Sequence, residues 1–431
     1  MKNVMASVGL LALGAVAVQN ANAQMSAGSD KPWSLSGTLR GFYDDNYNTA
    51  GAGVNRLDSF GFEARPSAMV ELSLAQTEIK ANYVMSMKYY DDRPKHKADY
   101  SHDFEGFLSH AFSPKYSVEL SDSFVIAQEP DLIDPVNRSI TQRVDGDNIR
   151  NTAGINFHAK VNDELSFVLG YQNTLYNYDQ EASDIPPGTG VISRSGQLDR
   201  MEQNGTITAR WQFQPETSAV IGYQYSQVNY SSDEVITTPG TVPVLTSKTR
   251  DNRSHYVFVG GDHNFSRDLS ASIRAGVQYT DYYADPSASS SVSPYIDISG
   301  TYVYMDGGSV LIGFTHKRSQ TDLIGTTQLQ ISSPGALTLD QESSTFYASL
   351  TQKITPKLTG TVTGQYQISE FNGGAANNQS DNFILLGLNL AYRFTHYLSG
   401  EVGYNYDNLT SDLAGRSFDR NRVYIGVTAT Y

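Results

Sequence analysis

The chain has no cysteine in 431 residues. That removes disulfides, thiol nucleophiles and thiolate metal ligands together, and leaves the redox compartment unread. After residue 23 no apolar run approaches the ~18 residues that a spanning helix needs, which excludes a helical membrane protein. Neither Gly-x-Ser-x-Gly nor His-Glu-x-x-His occurs. The eight histidines are scattered at His96, His102, His110, His158, His255, His263, His316 and His396. A site assembled across strands is recognised by geometry and not by spacing, so the expectation of a non-enzyme rests on the missing motifs. A Gly-rich strand-to-helix turn is also lacking, and no cofactor is expected. With 45 acidic against 31 basic residues and a net charge of −14, nucleic acid is a disfavoured partner. Asp145-Gly146-Asp147-Asn148 offers hard oxygens for Ca²⁺, but the twelve-residue pattern of a calcium-binding helix–loop–helix is missing, and no metal site is expected.

What is present begins with a leader. "MKNVMASVGLLALGAVAVQNANAQ" has a basic start at Lys2, an apolar stretch from Val4 to Val18, and Ala21-Asn22-Ala23 before Gln24. This is the arrangement of a secretory signal peptide, expected over 1–23 and removed before Gln24. Residues 24–431 then read as one domain.

Several segments of that domain look alike: "VNDELSFVLGYQNTLYNYD", "FQPETSAVIGYQYSQVNYSSD", "FSRDLSASIRAGVQYTDYYAD", "ITPKLTGTVTGQYQISEFN" and "FTHYLSGEVGYNYDNLTSD". Each opens with a short polar turn, alternates through Leu, Val, Ile and Tyr, and dissolves into Asp, Asn, Ser and Gly. Another alternating run precedes each one, so the unit is a hairpin with a tight turn at one end and a long loop at the other. Tight turns fall at Ala75–Glu78, Ser113–Tyr116, Val161–Glu164, Gln214–Thr217, Ser266–Leu269, Asp306–Ser309, Thr355–Lys357 and Thr395–Tyr397. With a leading strand near Trp33–Tyr43 and a closing strand at Asn421–Tyr431, they imply about eighteen strands, sixteen as the lower count. Strict alternation of short and long connections is the mark of an all-β, transmembrane, antiparallel up-and-down barrel, with short periplasmic turns and long extracellular loops. The chain stops in mid-alternation on "NRVYIGVTATY"; such a strand needs partners on both edges, and the first strand supplies one.

Charge placement argues for lipid as the outer solvent. In "LSGEVGYNYD", Leu398, Val402, Tyr404 and Tyr406 oppose Ser399, Glu401, Asn405 and Asp407; in "GTITARWQF", Ile207, Ala209, Trp211 and Phe213 oppose Thr206, Thr208, Arg210 and Gln212. Charges stay almost wholly on the polar phase, as expected where a lipid-facing Arg or Lys costs roughly 2–4 kcal/mol. The 28 Tyr and 18 Phe gather toward strand ends, the place of interfacial girdles. A mean hydropathy of −0.38 is then no contradiction, because half of every strand and all loops stay wet.

"FTHYLSGEVGYNYDNLTSD" followed by "SFDRNRVYIGVTATY" resembles the C-terminal hairpin of the putative β-barrel porins, the second family of that name, and the repeat carries the likeness over most of 24–431. The alternation ending at Tyr431 is similar to the signal read by the outer-membrane barrel-assembly machinery, which more often ends in Phe. The resemblance implies a Gram-negative outer-membrane location and offers no catalytic or ligand residues.

With the polar phase inward, the expected pore lining is Arg40, Glu63, Arg65, Glu71, Lys80, Lys88, Glu105, Glu119, Arg210, Arg274, Asp297, Lys317, Arg393, Glu401 and Arg422, mixed with a slight basic excess. Only 24–32 precede the first strand, too few for an N-terminal plug, so passive diffusion of small polar solutes is the leading expectation. An export pore for an exopolysaccharide, or a non-conducting adhesive barrel, are the alternatives. The expected partners are outer-membrane lipid, lipopolysaccharide, the assembly machinery and the solute. A homo-oligomer stays open: it needs a flat outer stripe of small and aliphatic side chains, which 383–390 meets only loosely. Asp91, Asp92, Asp131, Asp134, Asp145, Asp147, Asp233, Glu234 and Asp285 make the loops acidic, and the third loop, with Leu132, Ile133, Pro135 and Val136, is expected to fold inward as a constriction.

Overall fold

A computed structural model describes residues 31–51, 55–127, 147–285, 290–327 and 329–431. The signal peptide expected over 1–23 and the third-loop residues Leu132, Ile133, Pro135 and Val136 lie outside the described residues.

Eighteen strands form a single closed antiparallel sheet. The first six are β1 (Trp33–Asp44), β2 (Ser59–Ser73), β3 (Thr77–Tyr90), β4 (Ala98–Ala111), β5 (Tyr116–Ala127) and β6 (Asn148–Lys160). The next six are β7 (Leu165–Tyr178), β8 (Arg200–Gln214), β9 (Thr217–Tyr230), β10 (Asn252–Asn264), β11 (Leu269–Asp281) and β12 (Ser291–Met305). The last six are β13 (Gly308–Ser319), β14 (Asp340–Lys353), β15 (Leu358–Asn372), β16 (Ser380–Arg393), β17 (Leu398–Ser411) and β18 (Phe418–Thr430). Every strand pairs with its sequence neighbours, and β1 pairs with β18 through Ser36↔Thr430 to Asp44↔Arg422. Leu35 and Tyr431 exchange backbone hydrogen bonds of 3.1 and 2.8 Å. Lys31 lies over the Tyr431 ring, 3.9 Å from its centroid. The last residue is therefore held like any other position in the ring, and no edge remains.

All eight tight turns fall where the sequence places them. In five of them one short polar side chain organises the reversal: Ser113, Asn162, Ser266, Thr355 and Thr395 each accept from the backbone N–H groups two and three residues on. This side-chain mimicry of a backbone turn lets three or four residues reverse the chain.

Pairing registers carry the inside–outside parity from strand to strand. The outer phase is apolar and open: Ile425 is 68% exposed, Leu39 63%, Val259 59% and Ile312 57%. Trp211, Phe213, Phe265, Phe394 and Tyr397 ring the turn end. Toward the loop end Tyr83, Tyr223, Tyr366 and Tyr404 each bond diagonally to a polar residue of the next strand, His102, His255, Asn382 and Asn421. Asp281, Asp340, Glu342, Glu370 and Asp419 share the outer parity only toward the loop end, whereas Asp122 occupies an outer position within β5, where it accepts from Asn151 at 2.9 Å.

On the inner phase, glycine makes room for rings. A Cβ on Gly313 would lie 2.1 Å from the ring of Tyr347, and one on Gly403 2.1 Å from that of Tyr424. Each aromatic thus lies flat over its cross-strand partner. At the loop end of β12, Pro294 offers no N–H, and the β12–β13 ladder stops at Ile296↔His316. The Arg318 N–H donates instead to Gln278 of β11 at 2.9 Å.

Candidate channel lining and external cap

All fifteen charged residues selected from the sequence fall on the inner face once parity is followed through the ladders. Six of them converge where the sheet closes. Arg40 pairs with Glu63 at 3.2 Å and, reaching across β18, with Glu401 at 2.6 Å. Arg65 stands 3.9 Å from Glu63, and Lys88 is the register partner of Glu63 on β3. Arg422 completes the group through Asp44 at 3.0 Å. Arg40, Glu63, Arg65, Lys88 and Arg422 line a recess of about 230 Å³.

Two smaller groupings follow. Lys80 bridges Glu71 and Glu78 at 3.5 and 2.9 Å. Arg210 and Arg274 share Asp262, each at 2.8 Å, and Asp297 stands opposite Arg274 in register. The remaining four stand apart: Glu119 pairs with His158 at 3.2 Å, Glu105 faces Asn82 and Ser123, Lys317 faces Ser343, and Arg393 donates to the Pro356 carbonyl at the turn end.

The sequence reading missed more acids than bases on this face. Asp44, Glu78, Asp99, Asp103, Glu202, Asp262, Asp381 and Asp407 share its parity, against Arg150, Lys160, Arg200, Lys353 and Arg420. The slight basic excess expected from sequence is therefore corrected: the two signs come out nearly even. Most of the missed groups stand within a few residues of a strand end, where alternation is masked by loop-like composition. Counting parity outward from each tight turn would have found them.

The loops form a structure of their own. The 179–199, 231–251 and 320–339 loops share an apolar core of Ile192, Ile236, Leu245, Ile324, Ile331 and Leu337. Short bridges join them at Val191↔Leu329 and Thr237↔Ile331. In the first loop a one-turn helix, α1 (Arg194–Leu198), is capped by Ser193. Ser193 in turn donates its backbone N–H to Glu234 at 3.0 Å, so Glu234 is a structural group of the cap and not merely acidic surface. Arg250 is fully buried, donating to the carbonyls of Gln197 at 2.8 Å and Thr321 at 2.6 Å with its guanidinium over the Tyr230 ring. Burial pulls its pKa below the ordinary guanidinium value.

A second set of contacts extends this cap. Arg416, in the loop between β17 and β18, grips Asp322 with two bonds of 2.8 and 3.0 Å and Asp381 with a third of 2.8 Å. Burial alone would lower the Arg416 pKa, yet the two carboxylates hold it above its usual value. Leu323 packs with Phe371, Ala376 and Leu413 beside this pair. Loop ends from β7 round to β18 are thereby tied into one body through the 320–339 loop. Asp199 and Asp251 hold its roots alike, each accepting a strand N–H, from Tyr178 and Tyr230 respectively, at 2.7 Å. Burial pushes both carboxyls above the ordinary range.

Long-range likenesses accompany this architecture. OccAB4 from Acinetobacter baumannii is 12% identical with a TM-score of 0.43, covering 93% of this chain and 99% of that one. The outer membrane protein opdK from Pseudomonas aeruginosa is 11% identical at 0.42, covering 93% and 99%. A mutant of the ferric enterobactin receptor of Pseudomonas aeruginosa is 10% identical at 0.44, covering 92% and 81%. Comparison with curated proteins by sequence gives no match. The model of one family does match residues 36–431, and the chain belongs to that family, described as "Putative beta-barrel porin 2".

Proposed function

We propose that the protein is an outer-membrane channel through which small polar solutes diffuse passively, with the fifteen inner-face charges as its lining. The observation that carries this reading is the parity itself. Charged and hydroxyl side chains occupy the inner phase of staves whose outer phase is exposed Leu, Ile and Val, and a closed ring of about this strand number encloses an aqueous lumen. Acyl chains of the outer membrane meet the apolar phase, and lipopolysaccharide meets the loop end. The strand ending at Tyr431 is the segment the assembly machinery reads. Diffusion, and not catalysis, is the activity assigned. The loop cap acts as the constriction at the external mouth.

Reconstitution into planar bilayers tests this: stepwise K⁺ conductance is expected, and a folded barrel that passes no current ends the proposal. The cap favours one rival, a closed barrel that displays its loops for adhesion, which predicts that absence of current.

A further inference from the structure

The inner wall is not uniform around the ring. From Gln341 to Thr351 on β14 and from Thr359 to Ser369 on β15, every inner position is Ser, Thr, Gln or, once, Tyr. β5, nine strands from β14 and so facing it across an eighteen-strand ring, and its neighbour β4 carry Asp99, Asp103, Glu105 and Glu119 on the inner phase and contain no Lys or Arg. Asp99 is paired with Arg93 of the adjoining loop. β6, which faces β15, carries Arg150 near its loop end and Lys160 at its turn end. One wall is neutral and rich in groups that both donate and accept; the opposite wall is acidic along β4 and β5, with basic groups only toward the two ends of β6.

The neutral wall has an internally satisfied part and a part facing the lumen. Toward the cap, Ser343 bonds Ser369 at 2.9 Å, and Gln367 bonds Ser369 at 2.7 Å and Thr345 at 3.3 Å, all buried. Toward the turn end, Ser349, Thr361 and Thr363 are half-buried, Ser349 directly opposite Thr363. Beside them the Tyr347 ring lies flat over Gly313, the kind of surface on which the apolar face of a pyranose stacks.

We infer that the hydroxyl face of β14 and β15, opposed by the acidic face of β4 and β5, selects uncharged polyhydroxylated solutes of sugar size. This inference rests on the diffusion-channel reading. A hydroxyl-rich solute leaving water loses hydrogen bonds in all directions, and a side chain that is both donor and acceptor replaces them whichever way the solute turns. A charged wall fixes the sign of its partners and cannot do so. The carboxylate stripe across the lumen repels the corresponding sugar acids.

The experiment uses the reconstituted wild-type chain in KCl and reads the concentration at which a solute half-blocks each variant's own open current. Maltose is the neutral probe and lactobionate the acidic probe of matched size. Block by maltose, with lactobionate weaker by at least about tenfold, is expected. In the Thr361→Val/Thr363→Val double variant the maltose half-block concentration should rise about fivefold or more, as the loss of one or two net hydrogen bonds predicts. Thr361→Ser/Thr363→Ser, which keeps both hydroxyls, should restore it. Heat-modifiable mobility on gels establishes that each variant is folded. Equal block by both probes, no block by maltose, or an unchanged constant in the valine variant overturns the inference while leaving the channel intact. Absence of any current overturns the channel reading and this inference together.

Discussion

Two neighbouring aliphatic residues give the sharpest test of which solvent meets which face. Ile312 and Leu311 are consecutive on β13: Ile312 pairs with Gly300 and Ala348 and is 57% exposed on the outer phase, while Leu311 pairs with Thr301 and Ser349 on the inner phase. A strand tilted some 40° climbs about 2.6 Å per residue, so four residues beyond Gly308 place Ile312 about 10 Å above the turn, near the middle of an apolar band ~25 Å tall. Replacing each by Arg adds the same charge and removes a similar side chain. Ile312→Arg should cost roughly 2–4 kcal/mol, the midplane value for a lipid-facing Arg, or about 30- to 1000-fold in the folding equilibrium. Leu311→Arg, among hydroxyls in the lumen, should stay within about 1 kcal/mol. Urea titration of the protein in phospholipid vesicles reads both, using the fluorescence of Trp33 and Trp211, the two tryptophans of the chain. A neutral Ile312→Arg, or equal losses at both positions, would refute the assignment of the outer phase to lipid.

Three further outcomes are expected. Arg416→Gln removes the charge that joins Asp322 and Asp381 and should loosen the cap by about 1–3 kcal/mol, as for hydrogen bonds to charged groups; hydrogen exchange across 320–339 should quicken and open-channel current rise, and unchanged exchange would deny the latch. Because burial holds Asp199 and Asp251 above the ordinary carboxylate range in the capped state, that state binds their protons more tightly. Closed dwell times should therefore lengthen as the pH falls through the raised values toward the ordinary one, and the Asp199→Asn/Asp251→Asn variant should lose this dependence in single-channel records. Glu105→Lys reverses a carboxylate whose register partners are Asn82 and Ser123, so the reversal potential in a KCl gradient should move toward anion preference; an unmoved potential would place Glu105 away from the ion path.

The fold was legible because a barrel strand writes its environment with a period of two. Leu398 to Asp407 states both faces in one decapeptide, and five of the eight tight turns carry their own organiser, such as Ser266 or Thr395. Strand number, parity and the closing role of 421–431 follow from such local patterns. The inner wall was partly legible for the same reason. Its acidic remainder, including Asp44, Asp103 and Asp262, was hidden where alternation fades into loop composition.

What no local pattern contains is distance across the ring. The sequence by itself determined that one face of every stave is oily and the other wet, and hence the architecture. Only closure of the sheet sets β5 opposite β14, brings Arg40 against both Glu63 and Glu401, which lie 23 and 361 residues away in the chain, and packs Ile192, Ile236 and Ile331 of three separate loops into one core. Alternation is imposed residue by residue through the pleat, whereas these contacts depend on the curvature and register summed over all eighteen strands.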